Sequence, residues 1–428
     1  MSPLRFLPLL LLTLVLRAGE VPPNIVLIVS DDHAWTDYGF MGHPHIKTPN
    51  LDRLAKESLT FTRGYVPASL CCPSLASIIT GLQPHRNKVT SNDPPCPPGM
   101  ARKDFQKSEA FTAGRERMNQ HLEAVPTLPT ILKQHGYLSL QTGKWWQGHF
   151  SHGGFTHGMT TGGRHGDVGL DIGRKTMQPI SDFITTAKAE QKPFLVWYAP
   201  LMPHDPHTPP QRLLDKYLPL APSVHVARYW AMIEWFDETI GELITTLDKS
   251  GQRDNTIIAY VADNGWIQDP DAAKYAPRSK QSQYDGGLRT PIMINWPGHL
   301  APQQSDTVIS SLDLLPTLLG CAGVPVPAGI DGLDLRDNAA LTARKAVFGA
   351  CYTHDAIDLD LPAKNLRWRW GISQGWKLIL PAAANEPLAT VQMFRIADDP
   401  LEQRDVAAEH PEQVARLRGL IDGWWGGR

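Results

Sequence analysis

The chain alternates between short, wholly apolar runs and longer amphipathic stretches. Asn24–Ser30 (NIVLIVS), Pro193–Ala199 (PFLVWYA) and Thr256–Ala262 (TIIAYVA) are continuous and rich in β-branched or aromatic residues. Such runs predict strands buried on both faces, as in parallel sheets covered by helices. Tyr137–Gln141 and Ile292–Trp296 predict two more strands, and Asn50–Ser58 and Leu128–His135 predict short helices between them. The strongest helical signal covers residues 224–249. There Trp230, Ile233, Phe236, Ile240, Leu243, Ile244 and Leu247 recur near the roughly 3.6-residue helical period, and Gly251 ends the run.

Pro67–Asn87 (PASLCCPSLASIITGLQPHRN) predicts a short helix with Pro73 at its first position and Gly81 as its left-handed end. Cys71 and Cys72 then lie at a helix N-terminus, where free N–H groups favour an anion. Two stretches lack periodicity. Phe150–Gly173 is rich in glycine and carries His152, His157 and His165, which predicts a mobile surface loop, with the substrate mouth or a second metal as other uses. Ser91–Gly114, with Pro94-Pro95-Cys96-Pro97-Pro98, predicts irregular chain. After a helical Asp313–Gly320 the character changes. Residues 346–380 read as strands, with a Leu366–Leu380 hairpin around Gly375, and a helix closes the chain at Pro411–Trp425.

The alternation predicts an α/β fold with a main domain over residues 24–345 and a subdomain over 346–428. Near its start, Arg5 precedes the apolar run Phe6–Leu16, too short to span a bilayer and shaped like a secretory signal over residues 1–19. The expectation is an exported protein, periplasmic or secreted, with no membrane span in its mature form. A net charge of −2 gives no nucleic-acid footprint. Five cysteines are too few for a disulfide framework in a chain of this size; Cys72, Cys96, Cys321 and Cys351 could pair in three ways or stay reduced.

Candidate chemistry gathers at strand ends. Asp31-Asp32 follow the first apolar run and Asp263-Asn264 follow the last. Adjacent carboxylates at the end of a buried strand repel unless a cation joins them. Three carboxylates and one amide make a hard oxygen shell, suited to Ca²⁺ or Mg²⁺. His204, in Pro203-His204-Asp205-Pro206, follows a third strand and is the general-acid candidate.

Cys71-Cys72-Pro73-Ser74 followed by Ile78-Ile79-Thr80-Gly81 resembles the signature of the type I sulfatases, members of the alkaline-phosphatase-like superfamily. The resemblance implies a large, mostly parallel mixed sheet between helices and a smaller antiparallel C-terminal sheet. It implies that Cys71 is oxidised to formylglycine by a maturation enzyme and that its hydrated aldehyde is the nucleophile. Asp31, Asp32, Asp263 and Asn264 match the positions that hold one Ca²⁺ (or Mg²⁺) together with residue 71. Lys144, in Gly143-Lys144-Trp145-Trp146, matches a Lys bridging nucleophile and sulfate. His204 matches a sulfate-contacting His, and Lys280, ahead of Tyr284-Asp285-Gly286-Gly287, matches a second sulfate clamp. The similarity runs from about Asn24 to Trp425. It departs from the family pattern at Leu75, where the signature has Arg, and at Trp146, where it has a His that bonds the formylglycine hydroxyl. The implied activity is hydrolysis of sulfate esters, with sulfated carbohydrate favoured by export and by 13 Trp. Two other readings stay open: a phosphate or phosphonate ester hydrolase on the same scaffold, and a binding protein that kept the metal and lost catalysis.

Overall fold

The computed structural model describes residues 21–427; the signal predicted at residues 1–19 lies outside them. In chain order the strands of the main sheet are β1 (Asn24–Ser30), β2 (Leu59–Tyr65), β3 (Leu138–Gly143), β4 (His157–Gly158), β5 (Phe194–Ala199), β6 (Thr256–Ala262), β7 (Arg289–Asn295), β8 (Gln303–Ser305) and β9 (Ile309–Ser310). Their spatial order is β4-β3-β5-β1-β6-β7-β2-β8, with β9 also paired to β2. Only β7 runs against its neighbours β6 and β2, while the other pairs are parallel. A sheet of this kind needs cover on both faces, which is why its central strands are apolar at every position rather than at alternate ones.

The two-residue period of a strand divides those side chains between two cores. Ile25, Leu27, Val29, Trp197, Ile257 and Val261 face one side, against Leu75, Ile78 and Ile79 of the helix Cys71–Thr80 and against Leu314–Leu319. Val26, Ile28, Val196, Tyr198, Ile258 and Tyr260 face the other, against Met232, Phe236, Ile240, Leu243 and Leu247 of the helix Val224–Ser250. That helix is the one the periodicity predicts, capped by Ser223 and ended by Gly251 at φ 69°.

A second, antiparallel sheet runs β10 (Val347–Tyr352), β11 (Leu366–Ser373), β12 (Trp376–Pro381) and β13 (Gln392–Phe394) in sequential order. The fold is therefore the expected one, a mostly parallel mixed sheet between helices plus a smaller antiparallel sheet. Its β11–β12 hairpin turns at Gln374-Gly375, both with positive φ. The closing helix Pro411–Trp424 packs Leu417 and Ile421 against Leu378 and Leu380.

Three expectations change. Ser91–Gly114 is not wholly irregular, because a helix spans Glu109–Glu123. The proline run stops at Pro98, and Ser108 caps the new helix by accepting from the Phe111 N–H, as an N-terminal Ser does. Pro73 is the third residue of its helix, which starts at Cys71, so the missing N–H still falls among the unpaired ones of the first turn. Phe150–Gly173 is tied to the body of the protein. β4 pairs with β3, and two short 3₁₀ turns flank it at Phe150–Gly153 and Asp167–Asp171. Its three histidines diverge: His152 pairs with Glu123 at 2.5 Å and His157 lies against Phe183. All five cysteines are free thiols.

Candidate active site

The site lies where β1, β3, β5 and β6 end together, the edge at which open α/β sheets place their ligands. Asp31 and Asp32 follow Ser30 directly. The Asp31 N–H donates to the Met202 carbonyl at 2.9 Å, tying the end of β1 to the turn after β5. Asp32 takes a left-handed φ of 60°, and its N–H donates to Asp263 Oδ1 at 3.0 Å, linking β1 to the end of β6. The Asn264 N–H donates to the same oxygen at 2.7 Å. The backbone thus ties Asp32 and Asn264 to the Asp263 carboxylate, and Asp31 to the turn after β5.

Two ammonium groups enter this shell. Lys144 Nζ, just past the end of β3, lies 2.7 Å from both carboxylate oxygens of Asp31 and 3.6 Å from Asp263 Oδ2. Lys280 Nζ lies 2.6 Å from Asp32 Oδ2. His204 Nε2 is 3.5 Å from that same Asp32 oxygen, while its Nδ1 faces the Asp205 carbonyl at 2.5 Å. The Cys71 thiol, at the N-terminus of its helix, completes the group. Ligand atoms of Asp31, Asp32, Cys71 and His204 all lie within 4.8 Å of one another. The catalytic and metal-ligand candidates Asp31, Asp32, Cys71, Lys144, His204, Asp263, Asn264 and Lys280 are thus brought to one place.

The electrostatics follow from burial. Desolvation alone would raise Asp32, but Lys280, His204 and Lys144 outweigh it and hold that carboxyl at about 2. Asp263 goes the other way. Burial, with Asp31 and Asp32 as like charges, pushes it well above the carboxylate range despite Lys144. Burial lowers both lysines, but Asp31 for Lys144 and Asp32 for Lys280 overcome it and raise them. Burial pulls His204 down, partly offset by Asp31. Burial also raises the Cys71 thiol far enough to keep it protonated, although Lys144 and Lys280 oppose the shift. A buried protonated thiol is a poor nucleophile.

Three carboxylates face two ammonium groups here, and the imbalance shows in Asp263, whose carboxyl is driven toward its protonated form. The oxygens Asp263 Oδ2 and Asn264 Oδ1 are buried without a hydrogen-bond partner. Buried polar atoms are rarely left so. This imbalance and the orphaned oxygens together are what a hard divalent cation would satisfy.

Residues 23–324 match the sulfatase family, and residues 277–418 match the C-terminal region of N-sulphoglucosamine sulphohydrolase. The chain belongs to the sulfatase family. N-acetylgalactosamine-6-sulfatase of Mus musculus is 32% identical over 370 residues, 76% of this chain and 67% of that protein. Arylsulfatase A of Homo sapiens is 31% identical over 382 residues, covering 76% of this chain and 69% of that protein. A solved structure described as a complex with its substrate D-glucosamine-2-N,6-O-disulfate shares the fold at a TM-score of 0.72 and 21% identity, over 95% of this chain and 98% of that one. As a member of this family the protein is a sulfuric ester hydrolase.

The two departures from the sulfatase pattern have clear surroundings. Leu75 is 1% exposed and packs in the apolar core with Ile78 and Leu315. A guanidinium nevertheless reaches the helix start from elsewhere. Arg115, on Glu109–Glu123, donates to the Asn92 carbonyl at 2.8 Å, and Asn92 Oδ1 accepts from the Cys72 N–H at 3.0 Å. Trp146 is 1% exposed, with the Arg164 guanidinium over its ring at 4.5 Å and the His165 ring at 4.4 Å. Asp93 anchors that wall by taking Arg164 at 2.7 and 2.6 Å and Arg102 at 2.6 Å. Sequence reasoning missed Asp93, Arg115 and Arg164. The only signal for Arg164 is its place beside His165 in a run of glycines; Asp93 lies in the Ser91–Gly114 stretch that reads as irregular, and Arg115 directly follows it.

Proposed function

We propose that this sulfatase cleaves sulfate esters of sulfated carbohydrate, with position 71 as nucleophile and one divalent cation, Ca²⁺ or Mg²⁺, held by Asp31, Asp32, Asp263 and Asn264. The observation that carries the reading is the convergence of Cys71, three carboxylates, two lysines and His204 at one strand edge. Oxidised to formylglycine by a maturation enzyme, residue 71 supplies a hydrated aldehyde in place of the inert thiol. Held by Asp31, Asp32, Asp263 and Asn264, a divalent cation would supply Lewis-acid charge stabilisation to the site.

The chain's own residues do the rest. Lys144 and Lys280 carry fixed positive charge on the two sides of the carboxylate pair and are placed to offset charge developing on the sulfuryl oxygens. His204 keeps its Nδ1–H on the Asp205 carbonyl, which leaves Nε2 as the atom that exchanges a proton with the leaving oxygen. A carbohydrate substrate is supported by the similarity to N-acetylgalactosamine-6-sulfatase and to a structure holding a sulfated glucosamine. Export is supported by the N-terminal apolar run, and no helix among the described residues is long and apolar enough to cross a membrane.

The test pairs a mass spectrum with an assay. The tryptic peptide Gly64–Arg86, alkylated after production in the native host, should carry an aldehyde at one cysteine and a single alkylated thiol. The same preparation should hydrolyse 4-nitrophenyl sulfate faster than 4-nitrophenyl phosphate, and chelation should abolish both. Full alkylation of both cysteines, or a phosphate rate above the sulfate rate, would overturn the proposal.

A further inference from the structure

Arg164 and His165 stand at the site without a part in the mechanism above. The loop that carries them is pressed onto the strand end that carries Lys144. The Trp145 N–H donates to the His165 carbonyl at 3.2 Å. Gly166 has a φ of +115°, and a Cβ there would meet the Gly143 carbonyl oxygen at 2.4 Å, so only glycine allows this approach. Asp167 Oδ2 folds the loop back by accepting from the N–H groups of Thr161, Gly162 and Gly163 at 3.1, 3.0 and 2.8 Å. The backbone therefore sets where His165 sits relative to Lys144.

The side chain is fixed as firmly. Asp93 grips Arg164 through two hydrogen bonds, and Trp146 supports the guanidinium from below. Arg164 Nη1 lies 2.8 Å from His165 Nε2. A guanidinium offers only donors, so Nε2 must accept and the imidazole proton resides on Nδ1. No other described residue accepts from that Nδ1. Burial, together with Lys144 and Arg164, pushes the imidazole well below its ordinary value, so it is a neutral donor rather than a cation. Its ring stands 6.0 Å from the ring of His204. The two imidazoles are edge-on neighbours, inclined at 69°, so an oxygen seated beside both rings would be within reach of a donor from each.

We propose that His165 is a substrate-contacting residue, donating its Nδ1–H to an oxygen of a sulfate group seated beside it and His204. Arg164 and Asp93 are positioning residues that hold the tautomer. This inference rests on the sulfate-ester reading, and its test separates the two.

The test is calorimetric titration of inorganic sulfate into the full-length protein, with turnover of 4-nitrophenyl sulfate measured in parallel. Wild type, His165→Ala, His165→Asn and the same-loop control His149→Ala are compared. The expectation is binding by wild type and by His149→Ala, and about tenfold weaker binding by His165→Ala, the usual worth of a hydrogen bond to a charged group. Partial recovery in His165→Asn, whose amide N–H can donate, is expected too, together with a fall in kcat of about 100-fold for His165→Ala. Sulfate affinity unchanged in both His165 variants overturns the inference and leaves the hydrolase reading intact. Sulfate binding that depends on His165 in a protein without turnover supports the contact and overturns the hydrolase reading. A wild type that binds no sulfate overturns both.

Discussion

Lys144→Met tests the charge balance of the site most directly, because it removes one ammonium group and nearly preserves the volume of the stem. Lys144 is 1% exposed, and its Nζ lies 2.7 Å from each oxygen of Asp31, which is buried as well. At an effective dielectric of ~20 the gross attraction over that distance is about 6 kcal/mol. Removing one partner of a buried pair costs about 3–5 kcal/mol net, since the other charge is left without compensation. Unfolding entropy of ~2.1 cal/mol/K per residue, over roughly 400 residues, turns this into a fall in Tm of about 4–6 °C. The assay is thermal unfolding of chelator-treated protein at neutral pH. Adding calcium chloride should narrow the gap between variant and wild type, because the cation restores the positive charge beside Asp31. A chelated variant that melts within about 1 °C of wild type would refute the argument that Asp31 depends on Lys144.

Two further outcomes follow from other parts of the molecule. Burial, aided by Asp285, lifts the Glu402 carboxyl to about 7 in spite of Lys377 at 2.8 Å, so the folded state holds this proton more tightly than the unfolded state. Stability should therefore be fullest below the ordinary Glu range and fall as pH rises toward about 7, by up to about 1.4 kcal/mol per pH unit, and Glu402→Gln should flatten that slope in denaturant titrations across pH 4.5 to 7. Gly166→Ala drives a methyl into the Gly143 carbonyl, so kcat on a sulfate ester should drop by tenfold or more while Tm falls by no more than about 4 °C, a strain of about 1–3 kcal/mol confined to one loop. Equal turnover in the two proteins would show that the loop's close approach is not needed.

Much of the fold was legible because its central strands are apolar at every position. β1 and β6 could be bounded to the residue, and the pairs Asp31-Asp32 and Asp263-Asn264 were then conspicuous as charge placed where a buried strand stops. The helix Glu109–Glu123 escaped for the opposite reason. Its buried face is built as much from Arg115, Asn119 and His121 as from Phe111, Met118 and Leu122, so no apolar stripe marks it, and the prolines before it suggested a break. The wall formed by Asp93, Arg164 and Trp146 was illegible because it joins a proline-rich connection, a glycine-rich loop and a strand end. These segments meet only once the sheet has ordered β4, β3 and β5 side by side. Position 146 shows the limit well: the sequence reveals that an imidazole is missing there, and only the fold reveals that another stands 4.4 Å away.

The second sheet also sets when the site can be finished during synthesis. The segment leading into Cys71 is clasped by β10, where the Ala350 N–H donates to the Pro67 carbonyl at 2.8 Å, and the Gln281 N–H donates to the Ser69 carbonyl at 2.9 Å. Asp285, five residues past Lys280, is held by Lys377 on β12, which also grips Glu402. More than three hundred residues must therefore leave the ribosome after Cys71 before its surroundings are complete. At ~5–20 residues per second this interval is on the order of half a minute. Throughout it the thiol that ends up sealed beneath two lysines is an accessible side chain on an unfinished polypeptide, so any enzyme that modifies it has a timed opening set by the far end of the gene.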